Sequence, residues 1–300
     1  MIIKETHRVP EGISGVRLSD YARTAFPTIP SRKGIAKAIK RGELWINGSP
    51  AQSGDWVQAG QTLELVDLQQ RIPKTYRLPL DVVFEDEYLA VINKPPGIEV
   101  SGNKFKTIEN ALAGSLSPSA QPDALGWPRP VHRLDYSTSG LLLVAKTARA
   151  QVFFGQQFEE RKIHKRYRAV VMGELLSNGQ IDEPIGGVPA HSRYAPIKTV
   201  PSLRSGHLTL VDLFPATGRT HQLRIHMAAI GHPIVGDQKY GQEGNVLKGK
   251  GLFLAAVELR FPHPLNQKET VVSIDTPPKF ESLLRREQAR FKSLSGGISD

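Results

Sequence analysis

Asp135 closes the tetrad His132-Arg133-Leu134-Asp135, which runs through Tyr136-Ser137-Thr138-Ser139-Gly140 into the apolar Leu141–Ala145. A carboxylate two residues from a guanidinium, at the mouth of an apolar strand, has two uses. It can end the strand, in a salt bridge or as an acceptor for the amides of the turn after it. It can instead be a reactive carboxylate, a nucleophile or base kept charged by neighbouring cations. If the segment is extended, Arg133 and Asp135 share one side, because alternate residues of a strand do. Residue types alone leave both readings open.

A second basic group lies in Gly218-Arg219-Thr220-His221-Gln222-Leu223-Arg224. The stretch from Thr217 to Pro233 reads as a helix, with Thr217 as its cap, Gly231 as its terminator, and Leu223, Met227 and Ile230 on its apolar side. That places Arg219 in the first turn, where the helix dipole favours anions. An anion is therefore expected opposite Arg219, either a carboxylate such as Asp135 or a phosphate. His221, His226 and His232 raise the question of a metal, but their spacing is not that of a zinc helix and no Glu follows His221. They are expected to be core or RNA-facing, and no metal is expected. Tyr167 begins the strand-like Lys165–Leu175. It reads either as an edge-of-core tyrosine or as an aromatic plate for a base, with its hydroxyl near a reacting centre. Asp237 is the second carboxylate a hydrolase would need to direct water at a glycosidic bond.

These residues need elements to hold them. Residues 16–68 read as a small unit, in which a helix starting near Ser31 buries Ile35 and Ile39 and is stopped by Gly42. Its other face carries Arg32, Lys33, Lys37, Lys40 and Arg41, a row suited to a phosphate backbone. Asn47-Gly48 is a hairpin turn signal. Residues 1–15 are expected as an extension, 69–80 as a linker, 81–285 as the large domain and 286–300 as a fraying tail. In the large domain, residues 81–94 read as two strands about a turn at Glu85–Glu87, and Gly114–Pro130 as a long loop. Strands dominate without regular strand–helix alternation, which predicts an α+β fold with a mixed, mostly antiparallel sheet.

The formal charge of +10 and the absence of cysteine in 300 residues narrow the class. A basic surface draws polyanions, with nucleic acid foremost. Disulfides, thiol nucleophiles and cysteine-ligated zinc are excluded. No apolar run is long enough to span a membrane, no secretory signal is visible, and the cytoplasm is the default location. Neither GxGxxG nor GxxxxGK[ST] occurs, so no nucleotide cofactor is expected.

His132–Lys146 and Gly218–Arg224 carry a resemblance to the RluA-type pseudouridine synthases. Tyr88–Gly97, Lys165–Gly173 and Glu258–Pro264 are similar to the same family's other blocks, in the expected order, and residues 16–68 resemble the small RNA-binding domain many of these enzymes carry. The resemblance implies an RNA-modifying isomerase with a central cleft, no cofactor, and structured ribosomal or transfer RNA as partner. No obligate protein partner is expected, and a monomer is favoured. It implies Asp135 as the catalytic carboxylate, Arg133 as the residue that enters the RNA stack, Tyr167 as the active-site tyrosine, Arg219 as the arginine paired with Asp135, and Leu223 in the pocket lining. Arg224 joins the cations of the small unit as an RNA-binding residue. A non-catalytic RNA-binding module and a nucleoside-type hydrolase are the competing readings.

Overall fold

The structure, a computed structural model, describes residues 2–67, 75–241 and 249–295. It divides into two compact units, Met1–Ile72 and Pro73–Asp300. Residues 69–74 of the expected linker and 296–300 of the expected tail lie outside the described residues.

The first unit contains β1 (Ile2–Arg8), β2 (Ser14–Arg17), α1 (Leu18–Ala25), α2 (Arg32–Lys40), β3 (Leu44–Ile46), β4 (Ser49–Pro50), β5 (Trp56–Gln58) and β6 (Thr62–Asp67). The strands form a sheet ordered β1-β6-β3-β4 and a separate β2-β5 pair. The segment 1–15, expected as an extension, is instead part of this fold: β1 pairs antiparallel with β6. The side chain of Ser31 accepts from the Gly34 amide and caps α2, while Ile35 and Ile39 are buried. Arg32, Lys33, Lys37, Lys40 and Arg41 are all exposed. Two of them are engaged, Arg32 with Asp20 and Arg41 with Glu43.

The second unit contains β7 (Asp81–Glu85), β8 (Leu89–Lys94), α3 (Ile108–Leu112), β9 (Ala124–Pro130), β10 (Ser139–Thr147), α4 (Ala148–Glu159), β11 (His164–Met172), β12 (Gly179–Ile181), β13 (Ser192–Ser202), β14 (Gly206–Pro215), α5 (Gln222–Ala229), β15 (Leu254–Pro262), β16 (Glu269–Ser273) and α6 (Pro278–Ser295). Its sheet runs β12-β13-β14-β11-β15-β10-β8-β7, with β9 also on β10 and β16 also on β15. Pairing is antiparallel except between β10 and β15. The mixed, mostly antiparallel α+β reading therefore holds.

The sheet buries apolar side chains on both faces. Along β11, Tyr167, Ala169 and Val171 belong to one cluster, while Val170 and Met172 belong to another beneath α6. That is the two-residue alternation of a strand. The pairing slips beside Tyr167: Arg166 faces Glu258 but Tyr167 faces Ala256, so Val257 is an extra residue in β15. Such bulges re-aim side chains near functional sites.

Three boundaries differ from expectation. Residues 124–130, read as loop, form β9. Its Pro128 and Pro130 fit because β9 pairs only with β10, leaving its other edge free of ladder bonds. Residues 286–295, read as tail, continue α6, which Phe280, Leu283 and Leu284 bury under the sheet; farther along, the buried Glu287 accepts from Ser202 Oγ at 2.9 Å. The third boundary concerns α5, which starts at Gln222 and not near Thr217. The buried Thr217 hydroxyl instead bonds the Gln222 side chain at 2.7 Å and accepts from the His191 amide. Residues 218 and 219 are irregular and 220–221 form a turn, so the helix-dipole argument about Arg219 loses its basis.

Candidate active site

Leu134 is buried in the core at 5% exposure, and its neighbours Arg133 and Asp135 both line a cleft. The cleft is completed by Thr138, Lys165 and Tyr167, by the turn Thr217–His221, and by Leu223 and Arg224 of α5. The sequence-predicted Arg133, Asp135, Tyr167, Arg219 and Leu223 are thus brought together. Arg32, Lys33, Lys37, Lys40 and Arg41 belong to the other unit and are not part of this cleft.

The backbone around Asp135 is tied down at several points. Thr138 donates its amide to the Asp135 carbonyl at 3.1 Å, and Gly97 donates its amide to the Tyr136 carbonyl at 2.8 Å. Lys94, at the end of β8, has no exposed surface. Its ammonium donates to the carbonyls of Pro95, Ile98 and Tyr136 at 2.9, 3.0 and 3.5 Å. Burial pushes the Lys94 amine down to about 8, and the charge of Asp135 works in the other direction. His132 contributes its ring as an acceptor for the Leu143 amide at 2.9 Å. Burial, then the charge of Lys165, push that imidazole down to about 3, so it is neutral, as an acceptor must be.

Gly140 fixes where β10 begins. Its φ is +107°, and a Cβ there would lie 2.1 Å from the carbonyl oxygen of Ala256. No side chain fits that approach. Ala256 is also the residue opposite Tyr167. The strand that follows Asp135 and the strand that carries Tyr167 therefore meet the same residue of β15. Tyr167 is 9% exposed, and burial, then the charge of Asp135, push its phenol above its usual value. At neutral pH it is a proton-bearing group and a flat apolar surface.

The cations are arranged differently from the sequence expectation. Arg219 is exposed, its Nε donates to the Pro189 carbonyl at 3.3 Å, and no ion pair joins it to Asp135. Arg224, expected to meet RNA, is buried. It makes two hydrogen bonds of 2.7 Å to Asp237, with 9% and 1% of the two side chains exposed. It stands in the first turn of α5 with its side chain buried, so it is not the exposed phosphate ligand expected. Burial opposes the Arg224 charge, while the hydrogen bond and charge of Asp237, and then the charge of Asp135, raise its affinity for the proton. Arg224 is thus the arginine whose field reaches Asp135. Asp237 also accepts from the amides of Lys239 and Tyr240. Burial opposes its charge, and these bonds more than offset it, holding the carboxyl below its usual range. Committed to Arg224 and two amides, Asp237 is not free to direct a water, which removes the second carboxylate of the hydrolase reading.

Four residues in or beside the cleft carry no local sequence signal that assigns them to it. Lys94 could have been noticed as a charge ending an apolar run. Lys165 and Thr138 stood beside residues already chosen; the Thr138 hydroxyl is buried without a hydrogen-bond partner. His221, expected to be core or RNA-facing, instead lines the cleft. Its Nε2 lies 4.0 Å from an Asp135 oxygen and its Nδ1 3.1 Å from the Tyr240 hydroxyl. The other histidines are engaged elsewhere: His226 with Ser192 and the Glu183 carbonyl, His232 with the Met172 carbonyl. Among the described residues no cluster suits a metal ion, and no helix is long and apolar enough to cross a membrane.

A family model described as RNA pseudouridylate synthase matches residues 88–229, the span holding every cleft residue named from Lys94 to Arg224. The chain is 33% identical to "Ribosomal large subunit pseudouridine synthase D" of Xanthomonas campestris pv. campestris, over 96% of this chain and 94% of that protein. It is 31% identical to the protein of the same name from Escherichia coli O6:H1, over 97% of this chain and 96% of that protein. Among solved structures, "Human RNA Pseudouridylate Synthase Domain Containing 1" superposes with a TM-score of 0.53 and 25% identity, covering 69% of this chain and 94% of that one.

Proposed function

The chain belongs to the RNA pseudouridylate synthase family, as an isomerase of uridine in RNA, and from that premise we propose that Asp135 is the group that acts on the target nucleotide. Its position supports this reading: the one carboxylate among the described residues that line the cleft, anchored through Leu134, in the field of Arg224 and beside Tyr167.

Isomerisation breaks the N1–C1′ bond, turns the base, joins C5 to C1′ and releases the C5 hydrogen. No electrons are exchanged with a second substrate and no group is donated. A carboxylate can attack C1′, as in covalent glycosidic chemistry, or take the 2′ proton. Tyr167, protonated and half a wall of the cleft, offers a stacking face to the base. Arg133, exposed at the mouth, is the residue that fills the gap left in the RNA when the uridine is flipped out. The exposed cations of α2 hold the phosphate backbone and add affinity. Large-subunit ribosomal RNA is the substrate class, supported by relatives aligned along nearly the whole chain.

The test uses ribosomal and transfer RNA transcripts carrying tritium at uridine C5. Wild-type protein is expected to release label from the large-subunit transcript without free uracil. Asp135→Asn should keep the fold and RNA binding and lose turnover by on the order of 10³-fold or more. Label release that survives Asp135→Asn, or free uracil from the wild type, would overturn the assignment.

A further inference from the structure

The last step of the isomerisation needs a base. Once C5 is joined to C1′, it still carries its hydrogen and the ring holds a C6=N1 double bond. The C5–H bond must break, its electron pair forming C5=C6 while the C6=N1 pair passes to N1, which is protonated from water. Some group in the cleft accepts the C5 proton. We propose that this base is the imidazole of His221, making it a second catalytic residue; the proposal rests on the assignment of Asp135 as the residue that opens the glycosidic bond.

The backbone supplies the first observation. His221 has φ +58° and ψ +21°, a left-handed conformation that side-chain-bearing residues adopt sparingly and that concentrates at functional sites. It stands at the N-cap of α5 but makes no capping hydrogen bond through its side chain. The strained turn instead sends the ring into the cleft. There Nε2 lies 4.0 Å from Asp135, and Nδ1 lies 3.1 Å from the Tyr240 hydroxyl. With Nδ1–H donating to the Tyr240 oxygen, the Nε2 lone pair faces the space beside Asp135 where the reacting base must sit. The Tyr240 hydroxyl can accept from or donate to Nδ1, and the base role requires the tautomer in which it accepts.

Elimination supplies the second. Asp135 is a free carboxylate again once C5 has joined C1′, so it is the rival base, which the isotope effect and imidazole rescue of His221→Gly distinguish from His221. The Tyr167 phenol keeps its proton at neutral pH. Arg133, Arg219 and Arg224 cannot accept one. Lys94 turns away to three carbonyls. Lys165 also lines the cleft, over the Phe158 ring at 5.7 Å from its centroid, and burial lowers its proton affinity, so it is kept as a competitor in the test below. The groups facing His221 are Asp135 from the loop before β10, Arg224 from α5, and Asp237, Lys239 and Tyr240 from the turn after residue 236. Burial lowers its proton affinity first; Arg224 and Lys239 also lower it, and Asp135 and Asp237 raise it. The net result is an imidazole neutral at physiological pH. Once it takes the proton, the imidazolium has the Asp135 carboxylate 4.0 Å from Nε2, while the burial and neighbouring cations that lower its proton affinity favour handing the proton on to solvent.

The decisive variant is His221→Gly, because glycine accepts the same backbone without strain. RNA with deuterium or hydrogen at C5 of the target uridine is turned over by wild type and variant. The variant is expected to lose about 10²-fold in kcat with KM little changed. It should show a primary isotope effect larger than the wild type's, lose the rising acid limb of the pH–kcat profile, and regain rate on addition of imidazole. A loss of rate with an unchanged isotope effect and no imidazole rescue would overturn the proposal and make His221 a positioning residue only. Equal rescue and isotope response in Lys165→Gly, absent from His221→Gly, would transfer the role to Lys165. Failure of the Asp135 assignment reads differently: label release would then persist in Asp135→Asn whatever His221→Gly does.

Discussion

Arg224 and Asp237 show how much one residue's surroundings decide its use. In sequence, Arg224 is one more cation in a basic block. In the fold it is 7% exposed and joined to Asp237 by two short charge-assisted bonds. Removing one partner of such a pair leaves a buried charge unpaired, so Asp237→Asn or Arg224→Ala is expected to cost about 3–5 kcal/mol of stability, read by denaturant midpoint. Arg224→Ala should also depress turnover in what remains folded, because its field reaches Asp135. Arg133, by contrast, is exposed and expected to be silent for stability. Arg133→Ala should weaken turnover of structured RNA more than of short single strands containing the same target. Equal losses on both would remove its role as a wedge. Asp135, Tyr167, Arg133 and Leu223 were legible because each sits in a distinctive local string. The pairing of Arg219 with Asp135 was not, because it depended on where a helix starts, and the irregular stretch and turn over residues 218–221 moved that start.

At the scale of elements, the strongest local signals were those with a mechanism. Ser31 as cap of α2, the Asn47-Gly48 turn with φ of +48° and +77°, and the strand–turn–strand over residues 81–94 all appear as read. β9 was hidden because prolines mask a strand that pairs on one side, and α6 because a polar C-terminal sequence conceals a helix held by a few apolar residues. Gly140 is the element-level hinge of the site. With a Cβ confronting the Ala256 carbonyl, carbon and nitrogen, Gly140→Ala must push β10 from β15. It is expected to cost about 3 kcal/mol or more in stability. Its activity loss should exceed the fraction unfolded, since Asp135 and Tyr167 lose their common reference. Activity falling only in proportion to folded protein would show that the contact matters to stability alone.

For the whole molecule, charge and fold class were readable from composition and strand pattern, whereas strand order was not, since it joins segments far apart in sequence. Two units with separate cores also make a clean experiment. A chain lacking residues 1–72 is expected to fold, bind RNA more weakly and show a shallower dependence of log affinity on log salt, because fewer phosphates are neutralised. An unchanged slope would mean the cations of α2 are only a solvated face. The position of β15 between β11 and β10 carries one more implication. On a translating ribosome, Arg133, Asp135, Tyr167, the segment Thr217–His221 and Arg224 are all polymerised before Leu254–Pro262, whose Leu254 completes the cleft lining. Until that late strand threads the middle of the sheet, the strand that follows Asp135 and the strand that carries Tyr167 have no shared neighbour, so the site can be assembled only after Leu254–Pro262 has been made.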